Sequence, residues 1–326
     1  MTGAIAVTNA QQQANYQSFA RWCQQKQSVS ADARQTIEIV LKKIDTNDCQ
    51  QADRQLRSLK ELNLNDNRIS DLNPIAGLNN LISLKLDGNR IGDLEPLTGL
   101  NNLIYLSIEN NQISNLQPIA KLTGLISLKL DRNRIKDLKP LARLNNLTSL
   151  WLENNQISDV QSIAGLNNLS YLSLSNNQIS DVNPLASLIK LNNLYLESNR
   201  ISDLKPLVGL SKLSALSLGS NRISDVKPLA GLSNLKDLTI GDNRISDLKS
   251  LAKLSNLIYL HLENNQISDL QPLVGLNKLV GLSLESNRIS DLKPLAKLSS
   301  LDTLWLKSNP IDIKVCPVKP SSICKF

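Results

Sequence analysis

Apolar residues recur along most of the chain with a period of 22 residues, from Leu59 to a shortened last copy that begins at Leu301. The eleven full copies share the consensus LxxLxLxxNxI, which continues in the form sDLxPLaxL. Positions are numbered here from the first leucine of each copy, so Leu59 is at position one. Leucines at positions four and six alternate with polar residues, which predicts a strand with one buried face. Successive strands are therefore expected to lie in parallel in one long sheet.

Asparagine occupies position nine in every copy. Its amide can both donate to and accept from backbone groups that a turn would leave unpaired. A structural ladder is therefore predicted, rather than a row of ligands or catalysts. The ladder consists of Asn67, Asn89, Asn111, Asn133, Asn155, Asn177, Asn199, Asn221, Asn243, Asn265, Asn287 and Asn309.

Proline occupies position sixteen in nine of the eleven full copies, with Ser162 and Ser250 as the exceptions. Because proline lacks an N–H donor and restricts φ, this half of the copy is predicted to form a short 3₁₀ or extended segment. The predicted fold is an α/β solenoid. Its expected form is a curved right-handed coil with a concave parallel sheet and a convex side of 3₁₀ or extended segments.

The predicted organisation has four parts: a disordered or artificially added start (1–13), a helical N-terminal cap (14–58), the solenoid (59–311) and a C-terminal cap (312–326). Caps are expected because an open end would expose leucines and unpaired strand edges. Ser30 can begin a helix that runs through Ile44. The buried face of this helix is predicted from apolar residues at helical spacing, Ile37, Val40, Leu41 and Ile44. A second apolar face is predicted upstream, formed by Tyr16, Phe19 and Trp22.

The repeats resemble the 22-residue leucine-rich repeats of bacterial internalins and of a family of phosphatase regulators. The resemblance rests on the run SLKLDGNRIGDLEPLTGLNNL and its copies, and it extends from Leu59 to about Ile311. The N-terminal cap and the tail CPVKPSSICKF resemble those of secreted leucine-rich-repeat proteins of cyanobacteria. The internalin resemblance implies an extracellular protein receptor bound on the concave sheet.

Four cysteines flank the repeats, and none lies within them: Cys23, Cys49, Cys316 and Cys324. One pair at each end favours two cap disulfides in an oxidising compartment. A Cys23–Cys49 bond would join the two cap helices. Four buried free thiols are the alternative, and a zinc site is disfavoured because neither pair has CxxC spacing. The expected location is secreted or periplasmic, without a visible leader, and the alternative is cytoplasmic.

The net charge of +7 permits attraction to acidic partners, but Lys and Arg recur at fixed repeat positions instead of clustering. Nucleic acid is therefore not an expected partner. No run of about 18 apolar residues predicts a transmembrane helix. The chain is expected to be a monomer.

Positions three, five, seven and eight are expected to face a partner, because they vary while the framework does not. Aromatic side chains there are suggestive, since Trp and Tyr dominate binding hot spots. Lateral packing between strands is the alternative explanation. The acids at position seven are expected to pair with arginines at position ten. The candidate partner-binding residues are Tyr105, Lys129, Trp151, Tyr171, Tyr195, Tyr259, His261 and Trp305.

Catalytic signatures are missing: the chain has one histidine, His261, and no GxSxG, P-loop or dinucleotide motif. We therefore expect no enzyme, cofactor or metal. The function predicted is a protein-binding scaffold that uses its concave face. The alternatives are an intracellular subunit similar to the phosphatase regulators, and a carbohydrate-binding module in which Trp and Tyr stack on sugar rings.

Overall fold

The computed structural model describes residues 18–326. The predicted start at 1–13 and the aromatic residue Tyr16 lie outside the described residues. The chain divides into two compact units between Leu147 and Thr148, and each unit is described by itself.

The first unit opens with three helices, α1 (Phe19–Gln24), α2 (Ala31–Lys43) and α3 (Cys49–Ser58). As predicted, Ser30 caps α2, and its hydroxyl oxygen accepts from the backbone N–H of Ala33 at 3.1 Å. The buried face of α2 consists of Ala33, Thr36, Ile37, Val40 and Leu41. The helical N-terminal cap is thus present.

Helix α3 is an addition to the two helices that the sequence predicts. The carboxylate of Asp48 begins it by accepting from the backbone N–H groups of Gln51 at 2.9 Å and Gln50 at 2.8 Å. These two hydrogen bonds lower the pKa of Asp48 from its ordinary value. The Cys23–Cys49 disulfide therefore joins α1 to α3. The expectation that it would join the two predicted helices, α1 and α2, is wrong in this respect.

Four parallel strands follow in the first unit: β1 (Glu61–Asn63), β2 (Ser83–Lys85), β3 (Tyr105–Ser107) and β4 (Ser127–Lys129). Their register sets leucine against leucine, as with Leu62 opposite Leu84. The second half of each copy holds a 3₁₀ segment, at Asn73–Ile75, Glu95–Leu97, Gln117–Lys121 and Lys139–Arg143.

The second unit continues the pattern. Its strands are β5 (Ser149–Trp151), β6 (Tyr171–Ser173), β7 (Asn193–Tyr195), β8 (Ala215–Ser217), β9 (Asp237–Thr239), β10 (Tyr259–His261), β11 (Gly281–Ser283), β12 (Thr303–Trp305) and β13 (Cys324–Lys325). Strand β13 pairs in parallel with β12, placing Cys324 opposite Leu304. A disulfide joins Cys316 to Cys324. The tail thus adds one strand to the last repeat.

The 3₁₀ segments form even where serine replaces proline, at Gln161–Ile163 and Lys249–Lys253. Aspartate at position thirteen explains this, since Asp159 and Asp247 each accept the backbone N–H two residues further on at 2.8 Å. Such a turn satisfies a backbone donor without any need for proline. Proline therefore favours the segment but is not required for it.

The core is built from the repeated leucines and isoleucines. Leu172 and Leu174, at positions four and six of one copy, have no exposed surface. Burying such a side chain stabilises the folded state by about 1.5–3 kcal/mol. Parallel strands, short 3₁₀ segments and a helical cap confirm the predicted fold class. The residue limits of the four predicted parts stay a prediction.

Candidate binding surface

The strand face is defined here as the side chains at positions three and five of the strands. Leucine at position four points into the core, so its two neighbours on the strand point the other way. In β5 the middle residue Leu150 is buried, while Ser149 and Trp151 are partly exposed. The strand face is thus the surface where the variable side chains meet solvent.

On the first unit, the strand face carries Tyr105 among charged groups. The ammonium of Lys85 lies 5.8 Å from the centroid of the Tyr105 ring. The ammonium of Lys129 lies 3.4 Å from Oε1 of Glu109. Burial is the largest single influence on the pKa of Lys129 and lowers it, but Tyr105 and Glu109 outweigh this and raise the pKa from its ordinary value. Lys129 is therefore held in its charged form.

On the second unit, three predicted residues are brought together. The ring centroids of Trp151 and Tyr171 are 4.6 Å apart, and those of Tyr171 and Tyr195 are 5.4 Å apart. All three side chains are partly exposed. Ser173 lies between Trp151 and Tyr195 at position five and is fully buried. These three rings are called the aromatic row below.

A second group of rings lies further along this unit. The rings of His261 and Trp305 have centroids 6.4 Å apart, on either side of the small, buried Ser283. Tyr259 is 46% exposed. Its ring covers Gly281, where an added Cβ would lie 2.8 Å from Cδ1 of the tyrosine. We call Tyr259, His261 and Trp305 the distal rings.

Asp237 lies beside the distal rings, on β9 opposite Tyr259. Burial raises the pKa of this carboxyl from its ordinary value, and the nearby His261 opposes the change. A carboxylate is therefore partly desolvated next to the only histidine of the chain. Across residues 18–326, no group of three or more His, Cys, Asp or Glu side chains is placed to hold a metal ion.

The asparagine ladder lies behind the strand face and binds backbone. Nδ2 of Asn177 donates to the carbonyls of Leu152 and Leu174, each at 2.9 Å. Its Oδ1 accepts from the N–H of Ile157 at 3.0 Å. In the first unit Asn89 does the same with Leu64, Leu86 and Ile69 at 2.9 Å. In these copies the asparagine therefore satisfies backbone groups of its own repeat and of the preceding one.

Four of the position-seven acids have partners other than the expected position-ten arginines. The carboxylates of Asp87, Glu153 and Glu197 accept from serine hydroxyls at position five of the next copy, those of Ser107, Ser173 and Ser217. Glu109 pairs with Lys129. For Asp87 and Glu197, a serine hydroxyl on the adjacent strand takes the place of the expected arginine. Position seven is thus continuous with the strand face.

Position eight has the same backbone conformation in every repeat, with φ between 52° and 67°. This left-handed region favours glycine, asparagine and aspartate over bulky residues. The choice of residues at position eight therefore follows largely from the backbone conformation. The prediction from sequence that this position varies because it faces a partner did not include this constraint. Its members are Asp66, Gly88, Asn110, Arg132, Asn154, Asn176, Ser198, Ser220, Asp242, Asn264, Ser286 and Ser308.

A membrane-spanning helix is not found between residues 18 and 326, where every helix is too short or too polar for that role.

Comparison with known proteins places the repeats in a family. The family model described as leucine-rich repeats (2 copies) matches residues 57–99, 101–143, 145–187, 189–231 and 233–275. Among the curated proteins, none matches the chain.

Solved structures of bacterial proteins are similar over most of the chain. An internalin from Listeria monocytogenes has 33% sequence identity and a TM-score of 0.70, over 80% of this chain and 84% of that one. A second internalin from that species has 40% identity and a TM-score of 0.57, over 58% of this chain and 83% of that one. A leucine-rich-repeat protein from Leptospira interrogans has 28% identity and a TM-score of 0.72, over 81% of this chain and 76% of that one.

Proposed function

The chain belongs to the leucine-rich-repeat family, and on that premise we propose that it is a non-enzymatic scaffold that binds another protein on its strand face. Leucine-rich-repeat domains are generally protein-interaction scaffolds. The observation that carries the proposal is the aromatic row, since three partly exposed rings, with Tyr171 in contact with the other two, meet solvent in a chain with only 3% aromatic residues. Large rings left at a surface are where binding energy concentrates.

The aromatic row is suited to a protein partner because its rings are already ordered. Each ring is held by its neighbour, and the amide of Asn193 donates to the hydroxyl of Tyr195 at 3.4 Å. Side chains that are fixed before binding lose less conformational entropy when the partner arrives. The aromatic row can therefore bind a protein partner without a large rearrangement of its side chains.

A carbohydrate ligand is the less favoured occupant. Sugars stack on the open faces of aromatic rings, but here Tyr171 has a ring on each side, at 4.6 Å and 5.4 Å. The contacts cover part of the faces that a sugar would need. The exposed edges and hydroxyl groups fit apolar and hydrogen-bonding groups of a polypeptide better.

An extracytoplasmic location is also part of the proposal. Both cysteine pairs form disulfides in the structure, Cys23 with Cys49 and Cys316 with Cys324. Disulfides persist in oxidising compartments and are rare in the cytosol. The similarity to internalins supports the same location.

Affinity capture from an extract of the source organism tests the proposed function. The wild type is compared with the triple variant Trp151→Ala, Tyr171→Ala, Tyr195→Ala. The matched control is Ile189→Ala, Val208→Ala, Ile313→Ala, which truncates exposed apolar side chains outside the strand face. A protein retained by the wild type and the control, lost by the triple variant, and then shown to bind as a purified pair supports the proposal.

Equal retention by all three proteins would remove the aromatic row as the site. A glycan array that binds the wild type and is silent with the triple variant would replace the protein partner with a carbohydrate.

A further inference from the structure

The second unit is basic overall, yet its strand face taken together with the adjoining position seven is acidic. Residues 148–326 contain 18 Lys and Arg against 15 Asp and Glu. At positions three, five and seven of these repeats, counted together with strand β13, the balance is reversed, with five acids and two lysines. The acids are Glu153, Glu197, Asp237, Glu263 and Glu285, and the lysines are Lys307 in the last copy and the exposed Lys325, which lies opposite Trp305 on β13.

Eight cations of the unit recur at two fixed positions elsewhere in the repeat. Arginines at position ten and lysines at position fifteen follow the strand, in the turn and the 3₁₀ half of the copy, and all are exposed. They are Arg200, Arg222, Arg244 and Arg288, and Lys205, Lys227, Lys249 and Lys293. Aspartates at position thirteen lie among these cations, so the turn and the 3₁₀ half carry both signs of charge, whereas positions three, five and seven are mainly acidic in a chain of net charge +7. The net charge alone would favour an acidic partner, and the strand face favours the opposite.

One carboxylate on this face has an unmatched oxygen. Oε2 of Glu263 is shielded from solvent and has no hydrogen-bond partner. The side chain leans over Gly241, where an added Cβ would lie 2.5 Å from Oε1. A buried acceptor without a donor is costly, and a cationic donor satisfies it best. Glycine at this position is what leaves room for the carboxylate.

The distal rings lie within the same group of strands, β9 to β12. Tyr259 and Glu263 belong to one copy, Asp237 is opposite Tyr259, and Trp305 meets His261 at 6.4 Å. Exposed aromatic faces next to carboxylates attract ammonium and guanidinium groups, because the ring quadrupole and the negative charge act in the same direction.

We propose that the strand face of residues 148–326 binds a positively charged segment of its protein partner, whose Lys or Arg side chains lie against Tyr259 among Asp237, Glu263 and Glu285. This inference rests on the proposed protein-binding function and specifies the chemistry of the partner. Charge complementarity mainly sets the rate of association and the exclusion of wrong partners. The carboxylates of this face would repel the phosphates of a nucleic acid, so a nucleic acid does not fit as the partner here.

Fluorescence anisotropy with two labelled peptides tests the proposal. One peptide alternates arginine with glycine, and the other alternates glutamate with glycine. The test variant is Asp237→Asn, Glu263→Gln, Glu285→Gln. The control is Asp302→Asn, Glu95→Gln, Glu38→Gln, which changes the net charge equally at exposed positions outside the strand face.

The arginine peptide is expected to bind the wild type and the control, and to bind the test variant about tenfold more weakly. Added salt is expected to weaken binding, since the Debye length is about 10 Å at 0.1 M. Equal binding of the glutamate peptide, or no difference between test variant and control, overturns the proposal.

The two proposals fail in different ways. In one outcome, the aromatic-row variant no longer captures the protein, and the wild type binds the arginine and glutamate peptides equally. This result supports the proposed function and contradicts the proposal of a positively charged partner segment. Arginine-peptide binding that needs the three acids, combined with unchanged capture by the aromatic-row variant, removes the aromatic row instead. Self-association of the chain, measured by light scattering and abolished in the test variant, would put a second copy on this face and overturn the assignment to a partner.

Discussion

The indole ring of Trp151 and the phenol ring of Tyr171 lie with centroids 4.6 Å apart and planes inclined by 32°. The two residues are at positions five and three of adjacent strands, β5 and β6. Aromatic pairs in such offset or tilted arrangements attract each other beyond the area that they bury. The contact therefore contributes to the order of the strand face as well as to its chemistry.

A double-mutant cycle on this pair is expected to show a coupling free energy of about 1 kcal/mol. The variants are Trp151→Ala, Tyr171→Ala and their combination, and urea unfolding measures stability. The matched cycle pairs Trp151→Ala with Trp305→Ala, which are far apart in the repeat series and should be additive. Equal coupling in both cycles would show that ring contact contributes nothing specific.

Asn177→Ala is expected to lower the free energy of unfolding by about 3 kcal/mol, because three carbonyls and one N–H lose their partner in the core. Urea denaturation followed by circular dichroism measures the change. Gln266→Ala, at an exposed position ten, is the control and should change stability by less than about 0.5 kcal/mol. A change at Asn177 as small as the control's would contradict a structural ladder.

Ser220→Val is expected to destabilise the protein by about 1–2 kcal/mol, since a β-branched residue is placed in the left-handed region at a φ of 53°. The side chain of Ser220 is exposed, so packing does not enter the comparison. Ser211→Val is the matched control at another exposed serine, one without a positive φ. Thermal unfolding should separate the two variants, and identical midpoints would count against the conformational explanation.

The partly buried Asp237 is expected to make stability depend on pH. Burial, the larger influence, raises the folded pKa above the ordinary value of 3.8, so the folded state keeps a proton that the unfolded state has lost. Stability should therefore fall as the pH rises from about 3.8 through the raised pKa. Asp237→Asn removes this loss, so the variant should be more stable than the wild type at neutral pH.

The advantage of Asp237→Asn should disappear in acid, where the wild-type carboxyl is neutral in both states. Urea midpoints across the pH range measure it, with Asp302→Asn as the control at an exposed position. An advantage that is independent of pH would point to packing rather than to charge.

Thiol titration of the denatured, unreduced protein is expected to find no free thiol, because both cysteine pairs are bonded. Reduction of Cys23–Cys49, which are separated by 26 residues, should lower stability by about 3 kcal/mol through the added entropy of the unfolded chain. A Cys316→Ser, Cys324→Ser variant isolates the effect of this bond. Four reactive thiols in protein purified without reductant would favour the cytoplasmic alternative.

The sequence by itself determined the repeat and those structural features that depend only on residues within one copy or one helix. Leu172 and Leu174 alternate with polar neighbours and are buried as expected, and Ser30 begins α2 as expected. Such features depend on local geometry and on the burial of apolar surface, which a 22-residue pattern records directly. The role of Asn177 as a backbone ligand follows from the same logic.

Contacts between neighbouring copies were decided only in the tertiary structure. The sequence shows Ser173 and Tyr171 as two variable residues. It does not show that Ser173 is small and buried, or that the ring of Tyr171 contacts the rings of Trp151 and Tyr195. It shows Glu197 with arginine three residues away, but not that the carboxylate of Glu197 accepts from the hydroxyl of Ser217 on the next strand. The physical reason is that a side chain on the strand face has several possible partners on adjacent strands, which lie about 4.8 Å away. Which contact forms depends on the sizes of all the neighbouring side chains.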